Sequence, residues 1–234
     1  MALEGVIKKS KENTRQYIYR VLRENIMTLN LKPGESIGEI ELSKVLNVSR
    51  TPLREAIVQL IEEKLLEVFP QKGSFVSKIN LNLVGEAIFV RETCESRILK
   101  MACQDENEDN VDELISKLEK NIEYQKIVLN FNEDLHEFFT LDNEFHYILF
   151  DHYNKKNSWK AIKRLSTHYD RLRLLDALEK TNIKATLDQH IELVELIKSK
   201  NIEKIESSVE KHLLNYKDMI KKYEQKYPEY FCDK

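Results

Sequence analysis

The stretch VSRTPLREA, residues 48–56, opens a helix and decides the fold of the amino-terminal part of this sequence. Thr51 is a favourable N-cap, and Pro52 then takes the first helical position, where its missing N–H costs nothing. The apolar residues that follow recur at helical spacing and form one stripe: Leu53, Ala56, Ile57, Leu60 and Ile61. We therefore expect an amphipathic helix that begins near Thr51.

The elements around this helix follow from the same periodicity. In chain order they are helices over 11–29 and 39–46 and strands over 66–69 and 74–77. A turn at Pro33-Gly34 separates the first two helices, and the three residues 47–49 are short enough to hold the next two at a fixed angle. Three helices followed by a β-hairpin are the order of a winged helix-turn-helix, which we assign to residues 1–79.

The rest of the sequence, residues 80–234, has no convincing strand pattern. The expected helices span 82–103, 108–130, 132–154, 156–178, 183–199 and 201–225. Short polar connections between them favour neighbours that run antiparallel. The predicted fold is therefore mainly α, with a winged helix-turn-helix of three helices plus a β-hairpin wing and then an antiparallel bundle of about six helices.

The composition is that of a globular protein rich in helices, since 234 residues include only 5 Gly and 4 Pro. No apolar run approaches the roughly 18 residues that cross a bilayer, and the amino terminus lacks the apolar core of a secretory signal. We therefore expect a cytoplasmic protein without a membrane partner. Cys94, Cys103 and Cys232 lack paired spacing, which favours free thiols over disulfides or a zinc cluster.

Charge is unevenly distributed along the sequence. The net charge is −3, yet residues 1–78 hold 13 Lys and Arg against 10 Asp and Glu, whereas residues 79–234 hold 24 against 30. The positive excess is greatest near the start, where six cations face only Glu12 and Glu24: Lys8, Lys9, Lys11, Arg15, Arg20 and Arg23. Such a basic end suits an arm that contacts phosphates, and a solvated helix face is the alternative.

The stretch LKPGESIGEIELSKVLNVSRTPLREAIVQLIEEKLLEVFPQKGSFV, residues 31–76, resembles the amino-terminal domain of GntR-type regulators along its whole length. The most specific parts are VSRTPLREA and the glycine-bearing wing. The helical remainder resembles the FadR-like branch of that family, whose effector domain is a helical bundle known as the FCD domain. The resemblance covers residues 10–225 and implies a transcriptional regulator, not an enzyme.

The start of the helix near Thr51 carries the residues that we expect to bind DNA: Ser49, Arg50, Thr51 and Arg54. Helix amino termini attract phosphates and meet base edges in the major groove. Arg50 and Arg54 can each offer two donors to guanine, a contact worth about 1–3 kcal/mol of discrimination. The two hydroxyls suit phosphate oxygens. Alternatively, Arg54 forms a surface salt bridge with a nearby Glu such as Glu55 or Glu62.

The resemblance also implies DNA contacts at the wing tip, where family members approach the minor groove with residues that match Lys72 and Gly73. Two positions depart from the family pattern. Ile40 stands where members often carry a DNA-contacting Arg, so we do not transfer that contact. Lys64 stands where a Gly commonly ends the recognition helix, which leaves the end of that helix open.

The bundle carries a second chemical pattern. Asp142 and His146 lie four residues apart on one helix face, and flanking apolar residues mark that face as inward. His190 and His212 fall on the apolar stripes of two later helices. Unpaired burial would cost a few kcal/mol for each group, which a shared divalent metal would avoid. Hydrogen-bonded core residues are the alternative.

Metal-binding FCD domains use an Asp, a His four residues later and one His from each of the last two helices. The resemblance therefore implies that Asp142, His146, His190 and His212 hold a metal. Ligation by three nitrogens and one oxygen suits Zn²⁺, Ni²⁺, Mn²⁺ or Fe²⁺. A small carboxylate effector could complete the coordination of a five- or six-coordinate ion, as organic acids do in relatives of this kind.

Arg91 is the candidate partner for that carboxylate, because it lies on the apolar stripe of its helix and a guanidinium binds carboxylate in a planar fork. An interhelical salt bridge is the alternative. Arg171 and Arg173 are further candidates. The other histidines have no matching partners and are expected to be ordinary polar or surface residues: His136, His152 and His168.

These observations favour a homodimeric repressor or activator that binds a palindromic operator, because two reading heads must match two half-sites. A metal-responsive regulator without an organic effector would use the same residues. An acyl-CoA sensor is disfavoured by the intact set of metal ligands. A metalloenzyme is disfavoured because the sequence offers no HExxH motif and no nucleophile with an adjacent base.

Overall fold

The amino-terminal part of the fold combines three helices with a small sheet. The computed structural model describes residues 3–132, 135–179, 183–214 and 217–232. The first elements, in chain order, are α1 (Thr14–Met27), β1 (Ser36–Ile37), α2 (Glu39–Val45), α3 (Arg50–Glu62), β2 (Leu66–Phe69) and β3 (Gly73–Val76). The predicted winged helix-turn-helix is confirmed.

The wing is an antiparallel sheet in the strand order β1–β3–β2. Leu66 lies opposite Val76 and Phe69 lies opposite Gly73, so β2 and β3 form the predicted hairpin. Strand β1 has only two residues, which is too short for a periodic signal in the sequence. Because β1 pairs with the other edge of β3, the hairpin is tied to the segment that leads into α2.

The core of this part lies between α1 and α3. Its fully buried apolar side chains include Ile18, Val21, Ile26, Leu42, Leu53, Ala56 and Leu60. Burial of each large side chain contributes about 1.5–3 kcal/mol. The inward stripe of α3 that the sequence predicted is therefore the face that fixes this helix against α1.

Helix α3 begins two residues earlier than the sequence predicted. Ser49, not Thr51, is the N-cap, with extended backbone at φ −76° and ψ 161°. Pro52 therefore lies in the first turn, where an N–H has no intrahelical acceptor in any case. The Ser49 side chain makes no capping hydrogen bond, so the helix does not use its hydroxyl.

Several helices end with a non-glycine residue in the left-handed conformation. These residues have φ between 50° and 61°: Leu29, Asn47, Lys64, Asn154 and Lys200. At the end of α3, the Lys64 N–H donates to Ile61 O at 3.0 Å and the Leu65 N–H donates to Leu60 O at 2.9 Å, which is a Schellman motif. Lys64 therefore ends α3 without glycine, at a cost of about 1–2 kcal/mol.

Replacing Lys64 with glycine should raise the free energy of unfolding by about 1 kcal/mol, because glycine adopts the left-handed conformation without strain. Thermal unfolding midpoints of the purified variants would measure the gain. Lys64→Ala is the matched control, since it removes the same side chain but keeps the Cβ atom. Equal midpoints for the glycine and alanine variants would contradict the prediction.

The described residues that follow the wing are mainly helical, and the predicted mainly α class is confirmed. Helix α5 packs against α6 and α9, and α9 packs against α10. The helices are α4 (Leu81–Gln104), α5 (Glu108–Ile127), α6 (Leu135–His152), α7 (Lys156–Leu165), α8 (Thr167–Leu178), α9 (Ile183–Lys198), α10 (Ile205–Leu214) and α11 (Lys217–Lys226). Shorter turns are a π-helical one at Val128–Asn132 and 3₁₀ ones at Ile202–Lys204 and Pro228–Tyr230.

Two of the predicted helices are divided in the structure. The helix predicted over 156–178 is two helices, because a turn at Ser166 separates α7 from α8. The helix predicted over 201–225 is a 3₁₀ turn followed by α10 and α11, and residues 215–216 lie outside the described part. Periodicity continues on both sides of such short breaks, so it cannot reveal them. Within the described ranges, no helix is long and apolar enough to cross a membrane.

Contacts divide the chain into two compact units. The first comprises Met1–Val84, Leu165–Leu172 and Lys222–Lys234, and the second comprises Gly85–Arg164 and Arg173–Lys221. Two segments from late in the chain thus belong with the winged helix-turn-helix. Patterns in the sequence did not indicate this, because each segment continues a helical stretch of the carboxy-terminal part.

Within the first unit, a buried arginine and a buried histidine hold the segment that follows the wing. Arg171 is fully buried and donates from Nη1 to Ser77 O at 2.7 Å and from Nη2 to Ser77 Oγ at 3.1 Å. His168 Nδ1 accepts from the Asn80 N–H at 3.1 Å, which places the ring proton on Nε2, 3.0 Å from Lys64 O. Of the two expected alternatives, His168 is therefore a buried, hydrogen-bonded polar residue and not a surface residue.

Burial, together with the Arg171 guanidinium, lowers the pKa of His168 to about 3, against the opposing effect of the hydrogen bond to Lys64. In the unfolded chain the ring has its ordinary pKa near 6.5 and takes up a proton as the pH falls. The unfolded state then binds more protons than the folded state. His168 therefore costs stability below about pH 6.5, by up to about 1.4 kcal/mol for each pH unit.

A His168→Gln variant should lose less stability on acidification than the wild type, because glutamine can donate and accept hydrogen bonds here but does not titrate. Thermal unfolding midpoints between pH 7.5 and 5 would measure the difference, with His136→Gln as the control at an exposed position. Identical acid-induced losses in the wild type and the His168 variant would show that His168 does not set this dependence.

Candidate nucleic-acid interface and metal centre

A concave surface of about 450 Å³ lies between the start of α3 and the wing. It brings together four of the six residues predicted to bind DNA: Arg50, Arg54, Lys72 and Gly73. The other lining residues come from β1, β3 and the start of α2: Ser36, Ile37, Gly38, Glu39, Ile40 and Ser74. The remaining two predicted residues, Ser49 and Thr51, are exposed at the amino-terminal end of α3.

Arg54 forms a surface ion pair, but not with the partners that the sequence suggested. Its Nε lies 3.0 Å from Glu39 Oε2, so the partner is on α2 rather than Glu55 or Glu62 on α3 itself. The Arg54 side chain is 65% exposed. Exposed ion pairs of this kind contribute about 0–1 kcal/mol to stability. A stronger hydrogen-bond acceptor can therefore replace the Glu39 carboxylate at the Arg54 guanidinium, or bind beside it.

The wing tip needs glycine for its backbone rather than for space. Gly73 has φ +102°, whereas a Cβ atom built there would meet no atom within 4 Å. The turn closes with a hydrogen bond from the Lys72 N–H to Phe69 O at 3.0 Å, and the Lys72 side chain is exposed beside it. On the opposite side of the concave surface, Ile40 exposes 61% of its area where an Arg is common in the family that the sequence resembles.

The second unit brings together the four predicted metal ligands. Asp142 and His146 lie one turn apart on α6, His190 lies on α9 and His212 lies on α10. All four side chains are buried, and their ligand atoms lie within 4.8 Å of one another. The spacing on α6 and the inward stripes of α9 and α10 are the reason that the side chains meet.

Each histidine of this cluster has an oxygen acceptor opposite Nδ1. His146 Nδ1 lies 3.0 Å from Glu95 Oε2, and His190 Nδ1 lies 2.9 Å from Gln125 Oε1. His212 Nδ1 lies 3.1 Å from the Oε1 atom of the Gln189 side chain. The two glutamine contacts are hydrogen bonds, whereas His146 Nδ1 and Glu95 Oε2 lie at ion-pair distance without hydrogen-bond geometry. All three oxygens favour a proton on Nδ1 and an available lone pair on Nε2, which is the usual arrangement around metal-binding histidines.

Glu95, Gln125 and Gln189 are thus functional residues that the sequence reasoning missed. The sequence shows Glu95 only as a member of the apolar stripe of α4, and nothing in it links the two glutamines to the histidines. Gln125 is itself oriented by Asn121, whose Oδ1 accepts from Gln125 Nε2 at 2.7 Å. The one signal that could have found these three residues is their position, since each is a polar residue on the inward face of its helix, α4, α5 or α9.

The cluster is rich in acceptors and poor in protons. His212 Nε2 and His146 Nε2 lie 3.2 Å apart, although both are lone-pair atoms when Nδ1 carries the proton. Burial lowers the pKa of His190 to about 3 and lowers that of His212 well below its usual range. Among the described residues, Asp142 Oδ2 and His190 Nε2 have no hydrogen-bond partner. A buried cation would satisfy all of these atoms, so the residues fit a metal ion.

Asp142 remains an anion despite its burial. Burial by itself raises the pKa of its carboxyl, but the Arg173 guanidinium and the nearby histidines outweigh this and hold the pKa well below its usual range. Arg173 Nη2 donates to Asp142 Oδ1 at 2.7 Å. Arg173 therefore supports a predicted ligand, whereas Arg171, the other further candidate, belongs to the first unit.

Arg91 is almost fully buried and pairs with Glu95, one turn further along the same helix, at 2.6 Å from Nε to Oε1. The salt bridge is therefore within α4 rather than between helices as the alternative supposed. The guanidinium also lies 5.6 Å from the ring centroid of Trp159, which stacks on His146. Arg91 thus joins the cluster through Glu95 and through Trp159.

Residues 14–76 match the family described as bacterial regulatory proteins, gntR family, and residues 86–215 match the FCD domain. The chain belongs to the gntR family. The HTH-type transcriptional repressor RspR of Escherichia coli K12 is 29% identical over 93% of each chain. A relative in Streptomyces ambofaciens, an HTH-type transcriptional regulator in an unstable DNA locus, is 33% identical over 93% of this chain and 89% of its own.

A crystal structure of a GntR regulator from Rhodococcus sp. RHA1 covers 89% of this chain and 97% of its own, with a TM-score of 0.71 at 20% identity, which supports the fold. The protein is thus a DNA-binding transcriptional regulator of the GntR type with an FCD domain, and its relatives are regulators rather than enzymes. GntR regulators bind DNA operators and usually act as dimers, and FCD domains commonly bind metal.

Proposed function

We propose that this regulator binds a palindromic operator through a DNA-binding domain at residues 1–79 and senses a small organic acid at a metal ion held by a domain at residues 80–234. One observation carries the proposal. Four buried ligand atoms converge within 4.8 Å, and the described residues do not satisfy all of them with hydrogen bonds. We also place the protein in the cytoplasm and in the FadR-like branch of the gntR family.

The ion would be held by Asp142, His146, His190 and His212. Three imidazole nitrogens and one carboxylate oxygen suit Zn²⁺, Ni²⁺, Mn²⁺ or Fe²⁺ and do not choose among them. The bound cation would supply Lewis acidity toward a carboxylate oxygen of the effector. The described residues around it hold each imidazole by Nδ1 and Asp142 by Oδ1, so the ligand atoms are already oriented.

Arg91 is our candidate for a second contact to the effector carboxylate. Its Nε is engaged by Glu95, so the carboxylate would approach the Nη side of the guanidinium. The position is buried beside Trp159, and a low dielectric strengthens such a contact. The ion pair with Glu95 also connects this contact to His146, which would make effector binding and metal binding interdependent.

For operator recognition, Arg50 and Arg54 would read guanine in the major groove, and the hydroxyls of Ser49 and Thr51 would bind phosphates. Lys72 and Gly73 would approach the minor groove. A homodimer follows from the need to match two half-sites. The name of the Escherichia coli relative, a transcriptional repressor, favours repression over activation for this chain.

A regulator that responds to the metal itself is the second candidate. It is favoured by the ligand set, which offers four donors from the protein before any organic group is added. Both candidates predict that a chelator changes DNA binding. Only the first predicts that an organic acid changes DNA binding, or raises the unfolding temperature, when the protein is already loaded with metal.

Protein purified without chelator should contain about one equivalent of a transition metal per chain by elemental analysis, and a His146→Ala, His190→Ala double variant should contain none. The matched control is His136→Ala, His152→Ala, which removes two histidines outside the cluster and should keep the metal. Absence of metal from the wild type after loading with each of the four ions would refute the metal site and leave the DNA-binding assignment intact.

A Glu95→Gln variant should bind the metal about 10- to 100-fold more weakly, because the amide is a poorer acceptor than the carboxylate for His146 Nδ1–H. Competition with a chromogenic chelator would measure the affinity. Glu92→Gln, on the same helix but outside the cluster, removes the same charge and should leave the affinity unchanged. Equal affinities of the two variants would contradict the supporting role of Glu95.

A further inference from the structure

Residues 3–13, which we call the amino-terminal arm, fold back on α1 instead of extending away from it. The Tyr17 hydroxyl donates to Val6 O at 2.6 Å. Arg20 donates from Nη1 to Gly5 O at 3.2 Å and from Nη2 to Ile7 O at 2.9 Å. Further along, the Asn25 side chain exchanges two hydrogen bonds with the backbone of residue 4. The arm therefore has one defined path, and it precedes the part that matches the gntR family at residue 14.

The arm exposes a positive excess at residues 8–11, because the neighbouring Glu12 is already neutralised and the other glutamate of the arm, Glu4, lies at its start beside Asn25. Glu12 is paired with Arg20, whose Nε lies 2.5 Å from Glu12 Oε1 and whose Nη1 also contacts Glu24. The other cations of the arm and of the first turn of α1 are exposed and form no ion pair with any described residue: Lys8, Lys9, Lys11 and Arg15. An array of four exposed cations fits a polyanion with closely spaced charges.

The helix that carries the arm is fixed to the recognition helix. Helix α1 packs on α3 through the core of the first unit, and two polar contacts join their surfaces. Tyr19 donates to Glu63 Oε1 at 2.5 Å, and Arg23 Nε lies 3.0 Å from Glu63 Oε2. The arm and the DNA-reading end of α3 therefore belong to one compact unit, and a DNA duplex is the polyanion that this unit already binds.

We propose that the amino-terminal arm is a second DNA contact, in which Lys8, Lys9, Lys11 and Arg15 bind backbone phosphates outside the base pairs read by α3. The proposal rests on the DNA-binding function of the first unit. The contact is independent of sequence, so it adds affinity for any duplex and leaves base discrimination to α3 and the wing. Because hydrogen bonds already hold the backbone of the arm, little backbone conformational entropy is lost when it binds.

The salt dependence of binding to a mixed-sequence duplex tests the proposal, and no knowledge of the operator is needed. Binding of a fluorescein-labelled 40-base-pair duplex (about four helical turns) would be followed by anisotropy at several KCl concentrations. For the full-length Lys8→Gln, Lys9→Gln, Lys11→Gln variant, the slope of log K against log salt should become shallower by about 0.9 for each phosphate that the protein no longer neutralises. Its affinity at low salt should fall at least about tenfold.

A Lys155→Gln, Lys156→Gln, Lys160→Gln variant is the matched control, since it removes three exposed cations from the second unit and changes the net charge equally. It should keep the wild-type slope. Thermal unfolding of both variants would verify that they fold. A wild-type slope in the arm variant, or the same change of slope in both variants, would overturn the arm proposal alone. Failure of the wild type to bind the duplex would overturn the DNA-binding function as well.

Discussion

A histidine buried in an apolar bundle costs free energy for each ring nitrogen that lacks a partner, and this cost organises the second unit. Glu95, Gln125 and Gln189 each face one Nδ1, from three different helices. The Nε2 atoms are consequently turned toward each other and toward Asp142. Because the acceptors sit outside the cluster, the arrangement concentrates lone pairs at its centre, where a bound cation would satisfy them.

The first unit also buries a polar group that needs partners, and here the group is a cation. Arg171 is fully buried, and burial lowers the pKa of its guanidinium to about 10. Its Nη atoms donate to the backbone carbonyl and the hydroxyl of Ser77. His168 holds the same segment three residues further on, where it accepts a hydrogen bond from the Asn80 N–H. The exit of the wing is therefore held by groups from residues 165–172, so the winged helix-turn-helix depends on a segment far along the chain.

Local patterns account for most of what could be predicted from the sequence. Helical stripes identified the elements, and the i, i+4 spacing of Asp142 and His146 with the inward positions of His190 and His212 identified the cluster. The supporting residues could not be found in this way, since an inward glutamine such as Gln125 has no spacing that relates it to a histidine 65 residues away. The sequence left His168 undecided between a polar and a surface residue for a similar reason, because its partners Lys64 and Asn80 lie on another part of the chain.

Trp159 is the only tryptophan of the chain, and its indole ring is stacked on His146 at 5.7 Å between centroids. Arg91 and Lys163 lie within 6 Å of the same ring centroid. Indole emission is sensitive to neighbouring charge and to contact with a bound ion, and the ten tyrosines are not excited at the red edge of indole absorption. The unlabelled protein therefore carries a built-in optical reporter against one wall of the Asp142 and histidine cluster, so that changes in the cluster can be followed by light in real time.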